Sequence, residues 1–258
     1  MGTALITGAT SGLGEEFCWQ LASAGHDLVL VARRVDVLED LADRLRNVAG
    51  VPAEVLPADL SIPADVDKVA RRLEVTGEEG GPAPIGLLVN NAGFGLGASF
   101  PDNSLEAELN GLDVMVRAPM VLSHAAARAM RQRGRGAILN VSSVASRTGA
   151  GTYSAHKAWI VAFTEGLAEE LRGTGVTASV VCPGPTKTDF FTNAGVDMSG
   201  TPDCLMSTPE QVVEEALGAT RIGKVQVTPT AVYKVAMAAM KLAPRTVVRR
   251  VMRSVPHM

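Results

Sequence analysis

Short apolar runs recur at intervals along this chain, and they limit its fold more than any other feature. They are "TALIT" (3–7), "DLVLVA" (27–32), "AEVLPA" (53–58), "IGLLVN" (85–90), "GAILNV" (136–141), "VTASVV" (176–181) and "KVQVT" (224–228). Several are continuous Val, Leu and Ile rather than an alternation of apolar and polar residues. A strand with one wet face alternates, whereas a strand covered on both faces need not. The stretches between the runs read as helices near 12–24, 36–48, 63–78, 105–133, 152–173 and 209–221. In the first of these, Leu13, Phe17, Leu21 and Ala24 fall on one face. Strand-helix-strand repetition with right-handed crossovers predicts an α/β fold, a doubly wound parallel sheet of about seven strands flanked by helices.

The chain has 258 residues, 47% hydrophobic and 20% charged, enough to bury one full core. The Gly/Pro stretch "TGEEGGPAPIG" (76–86) is too short to link two domains, so a single domain is expected. Within it, residues 1–229 form the main body and 230–258 a helical C-terminal tail. A net charge of −3 gives no basic surplus for nucleic acid. Cys18, Cys182 and Cys204 are too few and too scattered for a disulfide framework, and no Cys or His spacing suits a metal. No basic-then-apolar leader opens the chain and no apolar run reaches the roughly 18 residues of a membrane span. The expected location is cytoplasmic. In the tail, "AVYKVAMAAMKLAPRTVVRRVMRSV" reads as two short helices around Pro244, the second carrying Arg245, Arg249, Arg250 and Arg253. Such a basic amphipathic helix can lie on an anionic membrane surface as a peripheral contact, but it more often packs on its own domain or a partner subunit. Packing is the reading taken here.

"TGATSGLG" (7–14) follows the first strand and opens the first helix. Gly8, Gly12 and Gly14 stand where a backbone must turn tightly and approach a phosphate, and the helix N-terminus offers it free N–H groups. Gly8, Thr10, Ser11, Gly12, Leu13 and Gly14 are therefore candidate dinucleotide contacts, and the fold expectation becomes Rossmann-like. The loop lacks the Gly-Lys-Ser/Thr ending of a triphosphate-binding loop. The second strand ends in "VARR", with Arg33 and Arg34 where an NAD site usually has an acidic residue. Guanidinium groups suit a 2′-phosphate, so NADP(H) is preferred over NAD(H), which the turn alone would also admit.

In "GTYSAHKAW" (151–159), Lys157 follows Tyr153 by one helical turn. A free tyrosine titrates at about 10, and an ammonium on the same helix face favours its phenolate. "TGATSGLG", "NNAG" (90–93), "NVSS" (140–143), "YSAHK" (153–157) and "PGPTKT" (183–188) occur in that order. From residue 3 to about 228 the chain resembles the short-chain dehydrogenase/reductase family. The resemblance implies that Tyr153 exchanges a proton with a carbonyl or alcohol oxygen while Ser143 holds that oxygen. It also implies that Lys157 binds the nicotinamide ribose, that Asp59 and Leu60 lie against the adenine, and that Asn90, Ala92 and Gly93 line the cofactor cleft. Pro183, Gly184, Thr186 and Thr188 would cap the nicotinamide.

Two departures stand out. The family usually has an asparagine in its long fourth helix, holding a water behind the lysine; the matching position in "LDVMVRAP" is Met115. Ser143 also precedes Tyr153 by only 10 residues, a shorter interval than the family's usual one, which leaves Ser142 and Ser146 as alternatives. The expected function is NADP(H)-dependent hydride transfer on a carbonyl or secondary alcohol. Met115 motivates the alternative of a dinucleotide-binding sensor or scaffold with little catalysis. The loop at about 186–210, with Phe190, Phe191, Val196, Met198, Leu205 and Met206, is expected to cover the substrate and suggests an apolar one. By resemblance, the helices around 105–133 and 152–173 would pair subunits into a homodimer or homotetramer, with Ala158, Ala162 and Ala168 allowing close approach.

Overall fold

A computed structural model of the chain describes residues 2–77, 80–149, 151–197, 200–244, 246 and 248. Seven strands, β1 (Thr3–Thr7), β2 (Asp27–Val31), β3 (Ala53–Val55), β4 (Ile85–Asn90), β5 (Gly136–Val141), β6 (Val176–Val181) and β7 (Gln226–Val227), form one sheet in the order β3-β2-β1-β4-β5-β6-β7. Every pairing is parallel. The strand order reverses beside β1, so the loops leaving β1 and β4 part and open a crevice at the carboxyl ends of the strands.

Both faces are covered, which is why the runs do not alternate. On one face, α1 (Gly12–Ser23), α2 (Val35–Ala49) and α8 (Pro209–Arg221) pack on Ala4, Ile6, Leu28 and Leu30. On the other, α3 (Pro63–Leu73) and α5 (Ala118–Arg133) pack on Leu5, Val29, Leu88 and Ile138, together with α6 (Gly151–Glu170). Neighbours such as Leu5 and Ile6 thus serve opposite layers.

Several elements are shorter than their apolar patterns. β3 stops at Val55, although Leu56 and Ala58 still donate to the Leu30 and Ala32 carbonyls at 3.0 Å; Pro57 between them falls on the open side of this edge strand, where a missing N–H costs no ladder bond. α3 ends at Leu73, α6 at Glu170, and β7 keeps two residues. The helix expected over 105–133 is interrupted. α4 (Leu105–Leu112) passes through a π turn, Asp113–Arg117, into α5, and Ala118 N–H bonds back to Asp113 O. Pro119, in the first turn of α5, has no N–H for the carbonyl of Met115 four residues back. π turns of this kind are frequent at functional sites.

After the four-residue α7 (Phe190–Asn193), α8 and β7, α9 (Ala231–Leu242) buries Met237 against Ile160, Val161, Val180 and Cys182. Arg245, Arg249, Arg250 and Arg253 of the tail lie outside the described residues, as does Met198. Among the described residues no helix is long and apolar enough to cross a membrane.

Candidate active site

The glycine turn is held by backbone contacts. Gly8 has φ +66°, and a Cβ there would stand 2.9 Å from Ala92 Cα. On Gly14 a Cβ would stand 1.9 Å from the Gly8 carbonyl oxygen. The first turn of α1 therefore lies directly on the β1 loop, a contact that only glycine permits. Thr7 ties this turn to β4: its Oγ1 accepts the N–H groups of Asn91 and Ala92 at 3.0 and 3.1 Å. Asn91 Nδ2 donates to the Thr7 and Gly8 carbonyls at 3.0 and 3.3 Å.

A cavity of about 520 Å³ opens at the carboxyl ends of β1, β4, β5 and β6, a size typical of small-molecule sites. It brings together Gly8, Ser11, Gly12, Leu13, Ala92, Gly93, Ser143, Tyr153, Lys157, Pro183, Gly184, Thr186 and Thr188. Thr10 and Gly14 sit in the turn without lining it. Asn90 is a correction. As the last residue of β4 it points under the sheet, where Nδ2 donates to Ser123 Oγ at 3.1 Å and Asn140 Oδ1 at 2.9 Å. Asn91, one residue on, faces the cavity instead; strand alternation was the signal that separates them.

The remaining expected residues lie beyond β2. Arg33 is exposed and reaches Asp59 at 4.0 Å; Arg34 precedes α2, also exposed. Partial burial pushes the Asp59 carboxyl up, but hydrogen bonds from Ser61 and the Arg33 charge outweigh it and hold it below its ordinary range. The Leu60 side chain belongs to the core rather than to this surface.

Tyr153, in the first turn of α6, is 4% exposed, and its ring packs on Phe190 with centroids 5.8 Å apart. Lys157 Nζ stands 5.6 Å from the Tyr153 ring centroid and donates to the Val141 carbonyl at 3.0 Å. Burial dominates both groups. It lowers Lys157 to about 8, with Cys182 opposing. It raises Tyr153 above its ordinary value, with a hydrogen bond to Ser143 opposing. Burial thus favours the neutral phenol, against the phenolate that a nearby ammonium favours. Of the three candidate serines, Ser142 gives its hydroxyl to the Lys157 carbonyl at 2.7 Å. Ser146 Oγ is buried with no partner among the described residues. Ser143 begins the 3₁₀ turn Val144–Arg147, its Oγ accepting from Ala145 N–H at 3.1 Å, and is the serine that meets Tyr153.

Met115 is buried and, like Lys157, reaches Gly93. A Cβ on Gly93 would lie 3.3 Å from Lys157 Nζ and 3.5 Å from Met115 Sδ. The far end of the thioether and the His156 ring both approach Gly111, where a Cβ would lie 3.4 Å from Met115 Cε and 3.5 Å from His156 Cε1. His156 is buried rather than solvated; burial lowers its pKa, Glu108 opposes and Lys157 reinforces.

Of the covering loop, Phe190, Phe191 and Val196 line the cavity, Met206 lines a smaller hollow beside it, and Leu205 is 38% exposed. Tyr233, Ala236 and Met240 of α9 line the cavity too. Their i, i+3, i+7 spacing was visible in the sequence, but nothing local says which surface such a helix covers. Among the described residues no group of His, Cys, Asp or Glu could hold a metal.

A family model described as short chain dehydrogenase matches residues 2–199. A short chain dehydrogenase of Pseudocercospora fijiensis is 33% identical over 214 residues, 81% of this chain, and the chain spans only 64% of that relative's length. A 7beta-hydroxysteroid dehydrogenase of Collinsella aerofaciens is 34% identical over 228 residues, 85% of this chain and 82% of the relative. Among solved structures, a short-chain dehydrogenase from Sphingobium yanoikuyae in complex with NADPH superposes with a TM-score of 0.85 at 32% identity, covering 100% of this chain and 99% of the other.

Proposed function

The chain belongs to the short-chain dehydrogenase/reductase family of NAD(P)-dependent oxidoreductases, and from that premise we propose that it transfers hydride between NADP(H) and a carbonyl or secondary alcohol, with Tyr153 as general acid and base. One observation carries the reading: the buried Tyr153 phenol, the Ser143 hydroxyl and the Lys157 side chain meet in the cavity that the glycine turn opens.

The residues present fit a dinucleotide. The close Gly8–Ala92 and Gly14–Gly8 approaches hold the β1 turn against the first turn of α1, and Gly8, Gly12 and Gly14 bring no side chain of their own to the space a pyrophosphate would take. Gly8, Ser11, Gly12 and Leu13 would hold it, Asp59 would meet the adenine, and Pro183, Gly184, Thr186 and Thr188 would flank the nicotinamide. When bound, the nicotinamide supplies or accepts the hydride. Tyr153 gives its proton to the carbonyl oxygen in reduction. Ser143 donates to the same oxygen and holds it against the phenol. Lys157, ammonium below about pH 8, restores positive charge and a proton beside Tyr153. Phe190 and Phe191 exclude water from the reacting atoms.

Arg33 and Arg34 favour a 2′-phosphate, and the NADPH-bound relative supports that preference. Paired titration with NADPH and NADH tests it: at least tenfold tighter NADPH binding is expected, reduced about tenfold in Arg33→Ala with NADH affinity unchanged. NADH preference in the parent chain would overturn it. A second reading, a dinucleotide-binding protein with little turnover, draws on Met115, whose thioether stands beside Lys157 in place of a group able to hold a water. Micromolar NADPH binding without turnover of a broad carbonyl and alcohol panel would favour it.

A further inference from the structure

α9 meets two other segments of the chain through one side chain. The Tyr233 ring lies on Gly184, where a Cβ would stand 2.2 Å from Tyr233 Cε2 and 2.3 Å from Cδ2. Its hydroxyl donates to the Leu205 carbonyl at 2.7 Å. Two residues on, Ser207 is zipped to the segment after β6: Ser207 N–H donates to Pro185 O at 2.8 Å, and Lys187 N–H donates to Ser207 O at 2.9 Å. Tyr233 therefore fixes α9 to both strands of the loop that covers the cavity.

The start of α9 is fixed as well. Thr230 has φ +62°, the one non-glycine residue in the left-handed region among those described. A β-branched residue persists there only where its surroundings hold it. Glu215 does so, accepting Thr230 N–H at 3.0 Å and pairing with Lys234 at 2.7 Å. From this anchored end, Tyr233, Ala236 and Met240 line the cavity together with Phe190 and Phe191, and Met240 packs in one cluster with Val144. Lys157 and Asp189 are the only charged residues in the described lining, and Lys157 already donates to Val141 O. A desolvated carboxylate or phosphate on the substrate would need a cation of its own, whereas an apolar body exchanges water for aliphatic and aromatic carbon.

We propose that α9 is the far wall of the substrate compartment, that Tyr233 sets its position, and that the compartment takes an uncharged ketone or secondary alcohol carrying a bulky apolar ring or chain. This deepens the functional reading and rests on it, because the carbonyl is placed at Tyr153 and the apolar body against α9.

The test compares cyclohexanone, trans-1-decalone and 4-oxocyclohexanecarboxylate on the full chain saturated with NADP⁺, reading affinity from the ligand-dependent melting shift, and separately assays NADPH-driven reduction. The parent chain is expected to bind decalone at least tenfold more tightly than cyclohexanone, and the carboxylate at least tenfold more weakly. Ala236→Leu is expected to abolish the decalone preference without changing NADPH affinity; Met240→Ala, which enlarges the wall, is expected to raise it. Tyr233→Phe, which keeps the ring and deletes the bond to Leu205, is expected to weaken both neutral ketones about equally. A decalone-to-cyclohexanone ratio within twofold of the parent's in both Ala236→Leu and Met240→Ala overturns the wall, and tighter binding of the carboxylate overturns the substrate class. Binding is read without turnover, so a chain that binds decalone through α9 but reduces neither ketone contradicts the hydride-transfer reading and leaves the wall standing.

Discussion

At the β1–β4 end of the cavity, backbone touches backbone; at the α9 end, side chains make the contacts. Gly14 abuts the carbonyl of Gly8, whereas Gly184 abuts the ring of Tyr233. A carbonyl inside a strand-to-helix turn cannot move without moving β1 and α1, but a ring on an exposed helix can swing about two torsions. The first end therefore tolerates one backbone shape and one class of ligand. The second can be resized residue by residue, which is how one scaffold serves many substrates.

The largest expected effect sets these two glycines against each other. Gly14→Ala should destabilise the chain by more than about 3 kcal/mol or prevent folding, since the clash is with fixed backbone. Gly184→Ala should cost less, about 1–3 kcal/mol, because a side chain rather than backbone gives way, at the expense of the Tyr233 bond to the Leu205 carbonyl. Chemical denaturation of both variants measures the difference, and equal losses would erase the contrast.

A second effect sharpens the chemistry between the two ends. Burial lowers Lys157 to about 8, so its ammonium is present below that pH and lost above it, while burial moves the Tyr153 titration upward, away from this range. Reductive kcat/KM, which reports the free enzyme, should therefore fall as pH rises through about 8. A profile flat to pH 10 would remove Lys157 from the proton supply. The smallest effect concerns Met115. Met115→Asn places a hydrogen-bonding side chain beside Gly93, which Lys157 also reaches, and should raise kcat by at most about tenfold; an unchanged or lower kcat would mean that proton resupply does not limit this chain.

The contrast between the ends also explains what the sequence disclosed. The parallel sheet was legible because strands covered on both faces write continuous apolar runs, as in β1 and β6. The glycine turn and the Tyr153–Lys157 pair were legible because each is local, within eight and five residues. Asn90 and Asn91 were confused because their roles depend on strand register, which a four-residue motif does not carry. The π turn left a local trace in Pro119, four residues after Met115. The α9 wall left none: Tyr233 meets Gly184 and Leu205 only after the sheet has brought residues 49 and 28 positions away beside it. Exposed apolar residues of α4, Leu105, Leu109 and Leu112, fit the expected subunit pairing, which we retain as a proposal.

Tyr153→Phe bears most directly on the central claim. The substitution removes one hydroxyl from a buried ring, leaving Phe190 packing and the glycine turn untouched. In single-turnover oxidation of bound NADPH by decalone, a fall of about 10²–10⁴-fold is expected, with NADPH affinity within about threefold of the parent's. Hydride transfer at the parent's rate would show that Tyr153 is not the proton donor.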